Sequence, residues 1–309
     1  MKMLRQLMRR TALYVAGMRA AGWRHAGLLA AAVLVSGAAQ AATMEYLYWD
    51  WGKTTGRDDY QIAALRLALE KTVPTHGPYA IKRIVESYST RRVRREVFAG
   101  KHLNVHVGPW RSQDPDNPFD RNIKIEYSVM GGMLGYRKLL VRRDDLDKFA
   151  RIRSDADLKR MVAGQGRDWA EVAIYRHNGY QVDDRANLST LLPMLVSKRF
   201  DYLPMSVIEV DSVLELYPRL ASKLAVVPGM LIQYDFPTVF YVSASRPDLA
   251  ARLEQGMAKA SKDGSLHALL DRHFRRQMHA LRTGTKREFI LVNPFLPERM
   301  RTPPVTFQK

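Results

Sequence analysis

TMEYLYWDWGKTTGRDDYQIAALRLALEKTVPTHGPYAIKRIVESYSTRRVRREVFAGKHLNVHV, residues 43–107, is the stretch from which the architecture follows. Its opening, Thr43 to Trp51, is aromatic and rich in β-formers, and the glycine and charges of Gly52 to Asp59 break it, so it reads as a strand ending in a loop. Tyr60 to Lys71 then repeats apolar residues at helical spacing. Tyr79 to Val85 reads as a second strand. Ser89 suits the N-cap of a helix over Thr90 to Ala99, Gly100 supplies its stop, and His102 to Val107 returns to strand alternation. Strand, helix, strand, helix, strand is the rhythm of an α/β fold, a parallel sheet with helices on its faces.

Downstream the rhythm starts again. Residues 111–122 are polar, carry two prolines and read as a surface loop, and Leu134 to Arg142 follows as a long strand. Ser154 and Asp157 have the form of a capping box. Val162 to Gly166 leads as a strand into a glycine-rich turn, and Asp168 to Asn178 reads as a helix. Tyr180 to Val182 and Asp201 to Met205 read as strands, Leu188 to Arg199 and Val207 to Tyr217 as helices, and Leu224 to Tyr234 as an extended stretch. Val239 to Ser243 is an apolar strand, followed by helices over Pro247 to Lys262 and Ser265 to Leu281. The proline-rich tail from Asn293 is expected to run extended over the surface. The strands near 137–142 and 239–243 flank the second unit, a placement that calls for two crossings between lobes and therefore a hinge.

Upstream the chain changes character. Lys2, Arg5, Arg9, Arg10, Arg19 and Arg24 stand among no acidic residue before the apolar run Ala26 to Val35. That run is about ten residues, whereas a membrane-spanning helix needs about 20. Ala39-x-Ala41 fits the small-residue pocket of a signal peptidase, so residues 1–41 read as a cleavable export signal. A start at Met18 gives its parts ordinary lengths, and Thr11-Ala12-Leu13 match a twin-arginine signal poorly. The remaining 268 residues suffice for one large or two medium domains. No later stretch is long and apolar enough to span a membrane. The lack of cysteine excludes disulfides and a cysteine-linked lipid anchor. Without residues 1–41 the formal charge falls from +18 to +12. Outside the cytoplasm this points to anionic solutes, wall polymers or lipid head groups rather than nucleic acid, or to solubility alone.

Several short segments, spread in order over nearly all of the mature chain, carry a resemblance. They are Gly135-Tyr136-Arg137-Lys138-Leu139-Leu140, Gly164-Gln165-Gly166-Arg167-Asp168-Trp169, Arg199-Phe200-Asp201-Tyr202 and Phe236-Pro237-x-x-Phe240-Tyr241-Val242, with Asp263-Gly264-Ser265 and Leu291-Val292-Asn293-Pro294 after them. The chain resembles the bacterial extracellular solute-binding proteins of family 3, in a divergent branch described as transporter substrate-binding-domain proteins. The resemblance implies a two-lobed, type II periplasmic-binding fold, each lobe a mainly parallel sheet flanked by helices, with two hinge crossings. Lobe I would take residues 42–137 and 239–309, lobe II residues 143–234, and the hinge strands residues 138–142 and 235–238. It also implies a monomeric periplasmic protein that closes on a small polar, anionic or amino-acid-like ligand and presents it to a membrane permease or receptor. No cofactor, metal, catalytic residue or nucleic acid belongs to that expectation.

Ligands of open α/β sheets sit beyond the carboxyl ends of the strands, so the loops there supply the candidates. Trp51 follows the first strand and either stacks on a ligand or, like Trp49, is a core or rim aromatic; alternation favours Trp51. Trp110 and Arg111 follow the third strand, where the resemblance implies a cation for a ligand carboxylate. A guanidinium fork matches two oxygens, although Arg111 could equally be a solvated arginine. Gln165, Arg167 and Asp168 stand at a turn before a helix whose free N–H groups can hold an anionic oxygen, with Asp168 alternatively the cap of that helix. Arg137 either contacts the ligand or pairs across the lobes. Met205 and Ser206 occupy positions where amino-acid binders of the family usually carry an aspartate for the ligand's ammonium group. Glu209 is the nearest acid, and the departure speaks against an ordinary α-amino acid.

Catalysis has little support in the residues. There is no cysteine nucleophile and no serine in a G-x-S-x-G turn. His102 and His106 have the spacing H-x-x-x-H but lie in a strand pattern without an acidic third ligand. Gly164-x-Gly166 lacks the third glycine of a dinucleotide fingerprint. Arg91, Arg92, Arg94 and Arg95 either grip phosphate or form a solvated helix face. Three alternatives stay open: a sensory or scaffold module docking on a membrane receptor, a lyase or dehydratase on the same fold, and, given Met205 and Ser206, a degenerate member that no longer binds small molecules.

Overall fold

The computed structural model describes residues 42–114 and 116–301, so the export-signal reading of residues 1–41 lies outside the described residues. The first unit is β1 (Met44–Asp50), α1 (Thr55–Glu70), β2 (Tyr79–Val85), α2 (Thr90–Ala99) and β3 (Val105–Pro109). β1 pairs in parallel with β2 and β3. The ends of α2 follow the expected chemistry: the Ser89 hydroxyl accepts the Arg92 N–H at 3.3 Å, and Gly100 ends the helix with φ +66°. Two boundaries move. β3 starts at Val105, which leaves His102 exposed outside it. α1 starts at Thr55 rather than Tyr60, because the Asp58 carboxylate accepts both the backbone N–H (3.1 Å) and the hydroxyl (3.0 Å) of Thr54.

After β4 (Ile123–Ile125) the chain enters a second sheet through β5 (Tyr136–Arg142). There follow α3 (Asp155–Lys159), β6 (Val162–Gly166), α4 (Glu171–His177), β7 (Gln181–Ala186), α5 (Leu188–Val196), β8 (Tyr202–Ser206), α6 (Val210–Leu216), β9 (Leu224–Val226) and β10 (Met230–Gln233). The Ser154–Asp157 capping box is formed. β11 (Thr238–Val242) returns to the first sheet, and α7 (Pro247–Lys262), α8 (Ser265–Gly284) and β12 (Arg287–Ile290) complete the fold. The first sheet has the order β2-β1-β3-β11-β4 and the second β12-β10-β5-β8-β6-β7, with β9 also on β5.

In each sheet one strand runs against all the others, β11 in the first and β5 in the second. Each is the strand that the chain enters directly from a strand of the other sheet, with no long helix between. A strand entering from the carboxyl edge of its new sheet must run away from that edge, opposite to strands that finish there. The sheets are otherwise parallel in direction, as expected for an α/β fold.

Residues 138–142 are not a free connection. Leu139, Leu140 and Val141 are fully buried at the centre of the second sheet, apolar on both faces as central strands are. The connecting segments are residues 126–135 and 234–237. The tail also departs from expectation: β12 pairs in parallel with β10 of the second sheet, and Leu296 and Met300 then pack on Val239 of the first. The chain therefore passes between the sheets more than twice. The second sheet has an apolar cluster of its own around Leu140, Leu192 and Leu203, yet the two cores are not fully separate. One apolar cluster runs from Tyr46 and Tyr48 under the first sheet through Leu134 and Phe236 to Leu139 and Tyr202 in the second.

Where the connections meet, backbone touches backbone. Tyr234 N–H donates to the Gly135 carbonyl at 3.2 Å, and a Cβ on Gly135 would collide with the Tyr234 carbonyl oxygen. That contact explains the glycine of the Gly135-Tyr136-Arg137 motif. Gly135→Ala is expected to destabilise by about 1–3 kcal/mol, the usual cost of overpacking, in denaturant unfolding. An unchanged midpoint would show that the two segments can separate freely.

Candidate functional site

A cavity of about 820 Å³ lies between the sheets, and its walls are carboxyl ends of strands. Trp51 and Lys53 follow β1, Ser87 to Arg91 follow β2, Pro109 and Arg111 end β3, Arg167 to Glu171 follow β6, Arg185 to Thr190 end β7, and Met205 and Glu209 end β8. Leu134, Arg137, Phe236 and Thr238 close it where β5 and β11 begin. Nine Lys and Arg side chains line it against four Asp and Glu, a formal excess of five positive charges. Low-dielectric walls around charge of one sign focus the field on whatever enters.

Buried ion pairs span part of this cavity. Arg137, 3% exposed, donates to Glu171 at 2.8 Å and lies 3.6 Å from Glu209, with its charge over the rings of Tyr234 and Phe236. Glu209 in turn accepts from Arg57 of α1 at 2.5 Å, and Arg57 also pairs with Asp58 at 2.9 Å. Burial alone would push the Arg57 guanidinium toward neutrality, but Asp58 and Glu209 outweigh it and hold the charge. A second bridge reaches across as well: the Arg111 side chain donates to the Asp168 carbonyl at 2.8 Å.

Aromatic rings line the cavity beside these pairs. His106, 5% exposed, stacks on Tyr241 with centroids 5.1 Å apart and meets Trp49 edge-on. Burial, followed by the positive fields of Arg94 and Arg111, lowers its pKa to about 4 despite a hydrogen bond with Val107 backbone, so it is neutral at pH 7. Trp49 donates its ring N–H to the Glu86 carbonyl at 2.9 Å. Trp51 packs against the apolar cluster of the second sheet, with the Arg57 guanidinium 5.1 Å from its ring centre.

The structure brings Trp51, Arg111, Arg137, Arg167 and Asp168 to the cavity wall. Arg167 is exposed and donates to the Arg185 carbonyl. Asp168 adopts φ +62° in the turn and caps nothing, since α4 begins three residues later with Ala170 at its N-cap position. Three expected residues stand elsewhere. Trp110 turns away to Val239, Leu296 and Met300, bonded to Glu126 and covered by Lys124, and lines a neighbouring cavity. Gln165 is 1% exposed within the second sheet and off the cavity wall. Ser206 is fully buried and bonds to the Met133 carbonyl at 3.3 Å. Arg137 pairs within the second sheet; the cross-sheet pair is Arg57 with Glu209. The glycines around Gln165 have a steric purpose: the ring of Phe200 fills the Cβ space of Gly164, and that of Trp169 fills the Cβ space of Gly166.

Sequence reasoning missed Arg57, placed in a presumed loop, and set His106 aside with the metal reading. The signal for Arg57 was there, since Thr55-x-x-Asp58 has the form of a helix start. Of the arginine cluster, Arg91 and Arg94 line the cavity, whereas Arg92 lies over the Tyr88 ring and Arg95 pairs with Glu96. Among the described residues no group of three or more side chains could hold a metal ion, and no helix is long and apolar enough to cross a membrane.

No protein-family model matches the chain, and no curated protein matches it. Solved structures do. An ancestral arginine-binding protein bound to arginine aligns with TM-score 0.50 and 14% identity, over 76% of this chain and 99% of its own. A structure from work on glutathione import via GshT and the cystine ABC importer of Streptococcus mutans aligns with TM-score 0.51 and 12% identity, over 75% of this chain and 95% of its own. At such identities the likeness is one of fold: this chain has the two-lobed, type 2 periplasmic-binding fold.

Proposed function

We propose that this chain, given that fold, is an exported periplasmic solute-binding protein that takes a small anionic ligand between two lobes and delivers it to a membrane transporter. The first sheet is the core of lobe I and the second of lobe II, with residues 126–135 and 234–237 as the hinge. One observation carries the reading: carboxyl ends of strands from both sheets converge on one cavity with a formal excess of five positive charges. A site beyond the strand ends of two facing sheets is where such a fold holds its ligand. None of the cavity residues forms a nucleophile–base pair, which favours capture over catalysis.

Closure has its contacts in Arg57–Glu209 and Arg111–Asp168, each joining one sheet to the other. The test is a thermal-shift screen of organic acids, amino acids, amines and sugars, combined with small-angle scattering. An anionic ligand at a hundred times its dissociation constant should stabilise the protein by about 2.7 kcal/mol and shrink its radius of gyration. Arg111→Ala should abolish that shift and leave the unliganded protein folded. If the whole screen produces neither stabilisation nor compaction, the reading fails.

Arg57→Ala probes the free protein. Truncating one partner of a buried pair across an interface costs about 2–5 kcal/mol, so the lobes should separate and the radius of gyration rise without ligand. Identical scattering curves for variant and parent would show that this pair does not hold the lobes.

A further inference from the structure

We infer that the cleft takes an elongated ligand bearing several separated negative charges, not a lone carboxylate. This rests on the solute-binding reading of the same site and names its ligand class. The 820 Å³ cavity adjoins a second one of about 660 Å³, and the two share Arg91, Arg94, Arg111, Asp168 and Trp169. Pockets of about 300–1,000 Å³ bury drug-sized ligands, so the first cavity alone stands near the top of that range. The second continues from the shared end past Trp110 toward Arg176, while Lys53 and Arg57 stand only in the first, away from that end. The site is long, and its unpaired cations run through the first cavity from Lys53 at one end to Arg91 and Arg111 at the end it shares with the second.

Five charges of the first cavity are not spent inside the protein. Arg57, Arg94, Arg137, Arg176 and Arg185 each have a carboxylate partner. Lys53, Arg91, Arg111, Lys124 and Arg167 have none within ion-pairing distance among the described residues; Arg111, Lys124 and Arg167 donate only to carbonyl oxygens. The crowding is felt locally. Burial first, and then the fields of Arg111 and Arg91, lower the pKa of Arg94. One carboxylate can reach only one end and leaves the other cations facing each other in a closing, drying cleft, where unpaired charge is costly. A chain of anionic groups satisfies both ends, each added contact being a charge-assisted hydrogen bond.

The experiment measures affinity by calorimetry for acetate, succinate and tricarballylate, and in parallel for inorganic phosphate, pyrophosphate and tripolyphosphate. In at least one series each added anionic group should tighten binding by about tenfold, and the better series tells carboxylate from phosphate chemistry. In the double variant Arg91→Gln/Lys53→Gln the ratio of affinity for the three-group probe to that for the one-group probe should collapse to near one. Neither side chain is buried, so the unliganded melting temperature should hold. The inference is overturned if three-group probes bind no tighter than one-group ones, if the double variant leaves the ratio unchanged, or if none of the six binds. An anion with one such group that binds and compacts the protein without any gain from added groups sinks this inference and leaves the solute-binding reading standing.

Discussion

Arg137→Ala is expected to lower the stability of the protein by about 3–5 kcal/mol, which for a chain of this size shifts the melting temperature by about 10 °C. The guanidinium is almost fully buried, and its removal leaves Glu171 without the donor at 2.8 Å and Glu209 with Arg57 alone. Burial by itself would drive Arg137 toward neutrality, yet Tyr234, Glu171 and Glu209 outweigh it and keep it charged, so each partner depends on the other. The loss is the cost of an uncompensated buried charge more than the worth of the pair. Arg137→Met combined with Glu171→Gln should therefore recover part of it, since the orphaned charge goes too. Thermal unfolding of both variants checks this, and a loss below about 1 kcal/mol for Arg137→Ala would mean that water reaches the pair.

Stability should also fall by about 3 kcal/mol between pH 6.5 and pH 4 through His106 alone. Its folded pKa is pushed down to about 4, chiefly by burial, from an ordinary value of 6.5. In that window the unfolded chain binds a proton that the folded chain refuses. The contribution is complete above pH 6.5, declines as pH falls, and is gone below pH 4. The carboxylates whose pKa values are lowered, such as Asp183, Asp201 and Glu126, start from 3.8 to 4.5 and contribute their losses at lower pH. His106→Phe keeps a flat ring against Tyr241 and removes the proton, so its stability should be level across the window where the parent's slopes. Parallel pH profiles from denaturant unfolding would show instead that the histidine titrates as it does in water.

The predicted cleft chemistry depends on both results in different ways. Arg137 anchors the floor of the cavity where β5 begins, and its loss should loosen the second sheet before it affects any ligand. His106 lines the same cavity within the fields of Arg94 and Arg111, where a further positive charge would add to an existing excess. A neutral imidazole there limits the crowding of cations and leaves a flat face for packing.

Much of the fold could be read from local pattern. The first five elements, the Ser154–Asp157 cap, and the turns at Gly100 and Asp263-Gly264 follow from periodicity and capping chemistry that depend on near neighbours in the chain. β12 escaped notice because Arg287-Glu288-Phe289-Ile290 is short and half charged, and it becomes a strand only by pairing with β10. The start of α1 was misjudged for a related reason. Arg57 and Asp58 look like solvated loop residues, and only Glu209, 152 positions away, makes their burial tolerable.

The candidate site divides in the same manner. Position after a strand was enough to bring Trp51, Arg111, Arg167 and Asp168 into consideration, because the alternation of strand and helix puts such loops along one edge. It could not tell that Trp110 turns to the Leu296–Met300 tail, or that Gln165 and Ser206 face the inside of the second sheet.

By itself the sequence determined the α/β class, the two successive units and most helix ends, since hydrophobic period, caps and glycine stops act over a few residues. Tertiary structure alone decided which charges are buried, how they pair across the cleft, and which side of each strand faces it. Those are contacts between residues far apart in the chain, and no local propensity carries the energy of a charge that is buried or neutralised by a distant partner.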